Sequence, residues 1–167
     1  LILTQDANLR NGEAFLSTGM GDNLWLFTKY DKFGRVAYTG ITQGGSRASL
    51  QNSINSVTAN PQNESRTTNN QFSVNADILY TNNAFPTNVI KVFSVNYYDT
   101  YPPVMPVAIP TQILGQAVLT QDSQNSAIST KSLPTASYIK NIENDSWTQN
   151  YTWYDTKGRT IGTYSQN

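Results

Sequence analysis

Short runs of alternating apolar and polar residues recur along the chain, separated by polar or glycine-containing stretches. Alternation of this kind is typical of half-buried β-strands, because successive side chains of a strand point to opposite faces. The pattern predicts two strand pairs, each interrupted by a short turn. They are LWLFTKY with RVAYTGI, at 24–30 and 35–41, and SWTQNYTWY with RTIGTYSQ, at 146–154 and 159–166.

Further strands are predicted outside these pairs. They are LILTQ at 1–5, ASYIKNIE at 136–143, and two strands on either side of the turn TNNAFP within the segment 72–101. The strand that follows the TNNAFP turn is apolar on both faces, which is typical of a strand between two layers. Polar loops are predicted at 6–23 and 63–71, and four prolines in YPPVMPVAIPT predict an extended, irregular stretch.

One short α-helix is predicted near residues 46–58. Leu50, Ile54 and Val57 fall at helical spacing on one face. Ser46 is a suitable N-cap, and the next proline ends the run. Because no other stretch shows this periodicity, the sequence predicts an all-β chain with a single short helix.

The same turn motif occurs twice, as YDKFGR at 30–35 and YDTKGR at 154–159. Asp at the start of a turn accepts hydrogen bonds from later backbone N–H groups, and Gly adopts a positive φ without steric cost. This combination is typical of a hairpin built on a type I turn with a glycine bulge. The residues predicted to set the two turns are Tyr30, Asp31, Gly34, Arg35, Tyr154, Asp155, Gly158 and Arg159.

The repeated Asp and Arg residues have two interpretations. They could form a catalytic carboxylate pair or an anion site. Alternatively, Asp shapes the turn while Arg stacks on a tyrosine ring or binds the turn carbonyls. The turn alone explains the spacing, and a repeat scaffold has a reason to duplicate a turn whereas an enzyme has none. We therefore interpret the motif as structural.

With these residues the chain resembles the YD-repeat proteins, the Rhs and teneurin-like group. Both hexapeptides keep the Tyr, Asp, Gly and Arg of that family's motif, and NYYDTY at 96–101 looks like a third copy without Gly-Arg. The stretches around 24–42 and 78–101 are similar to Rhs-type proteins of Bacteroidota, in the segment upstream of or within the repeat array. The resemblance implies antiparallel hairpins joined into a larger sheet or shell, which in many members encloses a toxin-like C-terminal domain. Other members are surface or adhesion proteins.

Composition narrows the possible chemistry. The 167 residues carry eleven basic and eleven acidic side chains, so charge gives no reason to expect nucleic acid or an anionic membrane as partner. Neither cysteine nor histidine is present, which excludes disulfides, thiolate sites and histidine-based catalysis. No run approaches the roughly 18 apolar residues of a membrane-spanning helix. A neutral chain rich in Asn, Thr and Tyr is typical of a bacterial extracellular β protein.

Three further groups of residues are candidates for binding or catalysis. A glycan-stacking platform would use the aromatic side chains Trp25, Trp147 and Trp153, although such rings more commonly pack across strands. A calcium site would use loop carboxylates, Asp6, Glu13 and Asp22, although no known calcium-loop spacing is present. A glycosidase pair would come from Asp122, Glu143, Asp145 and Asp155, but nothing in their spacing selects two of them.

Together these observations predict one β-rich segment spanning 1–167, a fragment of a larger secreted or cell-surface YD-repeat protein. We expect a structural role, with no catalysis, no cofactor and no metal. The expected partners are further hairpins of the parent chain, a C-terminal toxin-like cargo and secretion machinery. The alternative is an extracellular glycan-binding or adhesion module, which would present at least two aromatic rings on one exposed face.

Overall fold

The computed structural model describes residues 2–13, 19–56, 62–72, 77–120 and 128–167. These residues form a mostly antiparallel β structure with two short helices. Seven strands belong to one sheet. Their order in the sheet is β1 (Leu3–Thr4), β2 (Leu24–Tyr30), β3 (Val36–Gln43), β4 (Val89–Tyr98), β7 (Pro134–Lys140), β8 (Trp147–Tyr154) and β9 (Thr160–Gln166), while β5 (Gln112–Ile113) and β6 (Gln116–Ala117) make a small separate hairpin. The predicted β-rich fold with hairpins and a short helix is therefore confirmed at this level. The chain divides into two compact units, Leu1–Ser94 and Val95–Asn167, and β4 contributes residues to both.

The first unit is built around the hairpin of the first turn motif. Strands β2 and β3 pair in antiparallel register, with Leu24 opposite Gln43 and Lys29 opposite Tyr38. One small apolar cluster joins Leu9 of α1 to this hairpin. The elements of the unit are β1 (Leu3–Thr4), α1 (Ala7–Asn11), β2 (Leu24–Tyr30), β3 (Val36–Gln43), α2 (Arg47–Ser56) and the first part of β4 (Val89–Tyr98).

The second unit contains the second turn motif. Its strands pair as an antiparallel meander, with Tyr151 of the central strand opposite Ala136 on one side and Tyr164 on the other. The proline-rich stretch is irregular, as predicted, and packs apolar side chains around Trp153. The elements are β5 (Gln112–Ile113), β6 (Gln116–Ala117), β7 (Pro134–Lys140), β8 (Trp147–Tyr154) and β9 (Thr160–Gln166).

The helices differ in part from the prediction. Helix α2 covers most of the predicted range, and Ser49 N–H donates to Ser46 Oγ at its start. Val57 lies outside the described residues. The predicted loop at 6–23 contains a helix that sequence reasoning missed, α1, whose N-cap Asp6 accepts a hydrogen bond from Leu9 N–H at 2.8 Å. With five residues, α1 is too short to show a periodic pattern.

One predicted strand is wrong in its described part. Residues 77–81 contain no strand, and Tyr80 makes only an isolated bridge, with Arg66. Ile78, Leu79 and Tyr80 are all buried, so burial does not alternate here. Side chains of a half-buried strand would alternate between core and solvent. The predicted strand at 1–5 also shortens to two residues.

Candidate functional site

The two turn motifs adopt the same backbone geometry. Gly34 and Gly158 have φ of +76° and +73°, the left-handed region that glycine favours. Each glycine N–H donates to the carbonyl of the turn's Asp, at 3.0 Å in the first turn and 2.9 Å in the second. The strand register shifts directly before each motif, as a bulge requires. The structure therefore places all eight motif residues in or beside two matching hairpin turns.

Each turn is locked by its aspartate. Oδ1 of Asp31 accepts the N–H groups of Phe33 and Arg35, both at 2.9 Å. Oδ2 accepts Nε of Arg35 at 2.7 Å and lies 2.7 Å from Nη2. Asp155 makes the same four contacts in the second turn, at 2.6–2.9 Å. In both turns the guanidinium binds the carboxylate. The structural interpretation had predicted a tyrosine ring or the turn carbonyls as its partner.

Arg159 controls the electrostatics of the second turn. Its backbone N–H and its side chain are the main reasons that the pKa of Asp155 lies below the usual aspartate range. Hydrogen bonds to a carboxylate stabilise the charged form and so lower the pKa. The two remaining motif residues contribute to packing: Tyr154 is buried and donates to the Pro134 carbonyl, while Tyr30 supplies a carbonyl that accepts the N–H of Glu64.

The hairpins differ one position before the motif. In the first hairpin Lys29 lies opposite Tyr38, whereas in the second Trp153 lies opposite Gly162. The matching positions show that a hairpin of this type does not need a lysine there. Lys29 is nevertheless only 2% exposed. A buried lysine is costly unless its charge is compensated or removed, so its surroundings need an explanation.

Lys29 lies in a buried polar cluster that sequence reasoning missed. We define the Lys29 cluster as Lys29, Tyr38, Glu64, Thr81 and Asn82. Nζ of Lys29 donates to Oε1 of Glu64 at 2.8 Å and to Oδ1 of Asn82 at 2.5 Å. The ammonium group also lies over the rings of Phe27 and Tyr38, 5.9 and 5.3 Å from their centroids.

Glu64 is held from several sides. Its exposure is 1%, and its Oε1 accepts Tyr38 OH at 3.3 Å and Ala84 N–H at 3.0 Å. Its Oε2 accepts Thr81 Oγ1 at 2.6 Å and Asn83 N–H at 3.0 Å. Full hydrogen bonding of this kind is what allows a carboxylate to be buried.

The side-chain amide of Asn82 is also oriented. Nδ2 donates to the Thr87 carbonyl at 2.8 Å, which turns Oδ1 towards Lys29. Tyr38 OH lies 3.5 Å from the same Oδ1 and donates to the Thr81 carbonyl at 2.9 Å. The Lys29 amine thus contacts both a carboxylate and an amide carbonyl, and both the amine and the carboxylate are buried.

Burial dominates the electrostatics of this cluster. It lowers the pKa of Lys29, although hydrogen bonding and charge attraction from Glu64 oppose the shift. Burial also raises the pKa of Tyr38, and the negative charge of Glu64 adds to that rise. The chemistry available here is proton exchange between an amine and a carboxylate, next to a carbonyl group.

The sequence contains a signal for one member of this cluster, Lys29. Lys29 is in phase with Trp25 and Phe27 on the buried face of LWLFTKY, where a lysine is unexpected. Glu64 and Asn82 give no such signal, because they lie in stretches predicted to be a polar loop and a turn.

The tryptophans do not form an exposed platform. Trp25, Trp147 and Trp153 are 8%, 5% and 6% exposed. Tyrosine rings likewise pack across strands in the second unit, with successive centroids 5.0, 6.0 and 6.3 Å apart along the row Tyr97, Tyr138, Tyr151 and Tyr164. These rings contribute to packing rather than to a stacking surface.

The candidate carboxylates have other partners. Asp6 caps α1, Asp145 lies 3.0 Å from Nζ of Lys140, and Asp155 binds Arg159. Glu143 is exposed, and Asp122 lies outside the described residues. Within the described parts of the chain, no group of three Asp or Glu side chains could hold a metal ion.

A groove of about 830 Å³ opens in the first unit beside β1 and α2. It combines apolar side chains with amides and two arginines and contains no acidic side chain. Its lining is Ile2, Leu3, Thr4, Gln5, Arg10, Asn23, Trp25, Ser46, Arg47, Leu50, Gln51 and Ile54. The groove is therefore suited to a neutral or anionic polar ligand with an apolar face.

Across the five described ranges, neither helix has the length or the apolar character needed to cross a membrane. Comparison with protein-family models, curated proteins and solved structures found no match for this chain.

Proposed function

We propose that this chain is a structural segment of a β-scaffold, built from hairpins whose turns are locked by an Asp–Arg pair. The observation that carries the proposal is the duplication of the turn, down to the same four contacts around Asp31 and Asp155. A repeated supersecondary unit is the hallmark of scaffolds whose stability comes from stacking and pairing of neighbours.

The edge of the sheet supports a role in a larger assembly. Strand β9 is last in the strand order of the described residues and is seven residues long. Its sequence, TIGTYSQ, has neither a charged residue nor a proline. Natural edge strands usually carry such residues to prevent pairing with another chain. We therefore expect a further strand of the parent chain to pair with β9.

Hydrogen exchange tests this proposal. The 167-residue chain and the native protein from its source cells are compared by the exchange of peptides from β9, with peptides from the central strand β8 as the internal control. If the chain is a scaffold segment, the alternate amides of β9 that are not paired with β8 should be protected from exchange only in the native protein. Equal, fast exchange of these alternate amides in both samples, with β8 protected in both, would contradict the proposal.

The family resemblance extends the proposal to a secreted YD-repeat protein of the Rhs type, with a shell and a toxin-like cargo. Support for this extension comes from the two hexapeptide motifs and their hairpin context alone. The measurement is the intact mass of the native protein as it leaves the cell, with peptide mapping of its ends. A much longer parent with further Tyr-Asp hairpins is expected, and a native protein of this length would contradict the extension.

The groove supports an alternative function, glycan binding. Its amide side chains, two arginines and Trp25 match the polar and aromatic character of sugar sites. Titration with a panel of neutral and acidic oligosaccharides, followed by tryptophan fluorescence, tests it. Loss of binding in Gln51→Ala together with retained binding in Asn52→Ala would favour this function. Asn52 lies on the same helix but outside the groove. No response across the panel would count against it.

A further inference from the structure

We infer that Lys29 and Asn82 form an intramolecular amide cross-link, produced by the protein itself with Glu64 as the proton-transfer residue. This modification would join β2 to the TNNAFP turn, residues 81–86. It is independent of the proposed scaffold role. Its basis is the contact of amine, carboxylate and amide carbonyl within the Lys29 cluster.

The reacting groups are close enough to combine. Nζ of Lys29 lies 2.5 Å from Oδ1 of Asn82. A carbonyl bond is about 1.23 Å long, so Cγ of Asn82 lies within roughly 4 Å of the amine. Enforced proximity in one orientation is the condition under which intramolecular acyl transfer becomes fast. The Asn82 amide is fixed by its bond to the Thr87 carbonyl and cannot rotate freely.

The surroundings favour a nucleophilic amine. An ammonium ion has no lone pair, so Lys29 must first lose a proton. Water is excluded from the amine, since Lys29 is 2% exposed, and exclusion of water disfavours its charged form. Burial shifts the pKa of Lys29 downwards in the same sense. Desolvation is an established means of activating lysine.

The reaction balances without any co-reactant. Glu64 accepts a proton from Nζ, and the Nζ lone pair forms a bond to Cγ while the carbonyl electrons move to Oδ1. Glu64 then transfers its proton to Nδ2 and takes the second proton from Nζ. The C–N bond to Nδ2 breaks, the carbonyl re-forms and ammonia leaves. Ammonia finally takes the proton from Glu64, so the products are a secondary amide and one ammonium ion. Nothing is oxidised or reduced.

Two neighbours fit specific steps of this reaction. Tyr38 OH lies 3.5 Å from Oδ1, where negative charge develops, and its one proton, which points to the Thr81 carbonyl in this structure, would turn to Oδ1 in that step. The N–H groups of Asn83 and Ala84 hold the Glu64 carboxylate in place beside Nζ. The second hairpin, with Trp153 at the matching position, shows that the turn itself does not require Lys29.

Mass spectrometry of the purified, folded chain tests the inference. The intact mass, measured after denaturation, is expected to be lower than the sequence mass by one ammonia. A tryptic digest is expected to contain one branched product that joins residues 11–32 to residues 67–91, because a modified Lys29 resists trypsin. A cooperative unfolding transition establishes beforehand that the sample is folded.

Variants separate the roles of the three residues. Lys29→Arg, Asn82→Ala and Glu64→Gln should each restore the full sequence mass. Glu64→Gln keeps the size of the side chain but replaces one acceptor oxygen by a donor NH2 that faces the N–H of Ala84 or of Asn83, so its unfolding transition is measured before its mass is interpreted. Lys32→Arg and Asn83→Asp are matched neighbours that should leave the branched peptide in place.

Four results would overturn the inference. A folded wild-type chain with the full sequence mass would reduce the cluster to a buried ion pair. A mass loss without the branched peptide would indicate cyclisation of an asparagine elsewhere. A branched peptide that persists in folded Glu64→Gln would remove Glu64 from the mechanism, while its presence in Asn82→Ala would assign the link to another residue.

Discussion

The guanidinium of Arg35 binds the carboxylate of Asp31, four residues earlier in the chain, and its Nε and Nη2 each lie 2.7 Å from Oδ2. The other carboxylate oxygen is occupied by backbone N–H groups of the turn. The motif thus joins a side-chain ion pair to the backbone hydrogen bonds that define the hairpin. Its second copy is identical in contacts but differs in exposure, since the side chain of Arg159 is 65% exposed and that of Arg35 is 22% exposed.

This difference predicts unequal costs for removing the two arginines. We expect Arg35→Ala to lower the free energy of unfolding by about 1–2 kcal/mol, because a partly buried, charge-assisted hydrogen bond is lost. Arg159→Ala should cost less than about 1 kcal/mol, since solvent screens an exposed pair. Urea unfolding of both variants measures this, with the exposed Lys32→Ala as control. Equal losses at the two sites would show that exposure is not the deciding factor.

Gly34→Val should destabilise the first hairpin by about 1–3 kcal/mol, because it forces a β-branched residue to positive φ. A Cβ at this position would meet no atom within 4 Å, so the cost is conformational and not steric. Gly34→Asn is the matched control and should cost clearly less, as asparagine tolerates this region. Thermal or urea unfolding gives the values, and an unchanged stability of the valine variant would contradict the turn assignment.

Gly40→Ala should be more damaging than Gly162→Ala. A Cβ at Gly40 would collide with the backbone carbonyl of Lys91 and with the Phe27 ring, and neither can easily move. At Gly162 the clash, at 2.6 Å, is with the terminal methyl of Ile113, which can rotate away. We expect a loss of about 3 kcal/mol or more at Gly40 and of roughly 1 kcal/mol at Gly162, from overpacking. Urea unfolding compares the two, and a reversed order would contradict this packing.

Acid should remove the stabilisation that Asp155 provides. Its folded-state pKa is depressed, so its contribution is fully present above the pKa of an unfolded aspartate, about 3.9, and disappears as the pH falls through the folded-state value. Asp155→Asn should lower the melting temperature at neutral pH, and the difference from the wild type should shrink in strong acid. Glu143→Gln, at an exposed site, should show no such convergence. A constant difference at all pH values would refute the assignment.

The hairpins were predictable because their information is local. Asp31 and Arg35 are four residues apart, and the strands on either side show alternation. The Lys29 cluster was not predictable, because its contacts span 35 and 53 positions of the chain and three of its five members lie in irregular segments. The strand predicted before the TNNAFP turn failed for a related reason. Three consecutive apolar residues, Ile78 to Tyr80, are all buried by irregular backbone that packs on the first unit's own hairpin.

The contact between Lys29 and Asn82 also bears on mechanics. The two residues are 53 positions apart, and the intervening chain includes a hairpin turn, a strand and a helix. Once a covalent bond joins them, a pulling force applied to the ends of the chain passes through that bond. The residues between them would then carry no tension and could not be drawn out. The first turn, β3 and α2 would thereby stay folded under forces that unravel hydrogen-bonded sheets, while β2 up to Lys29 would remain under load.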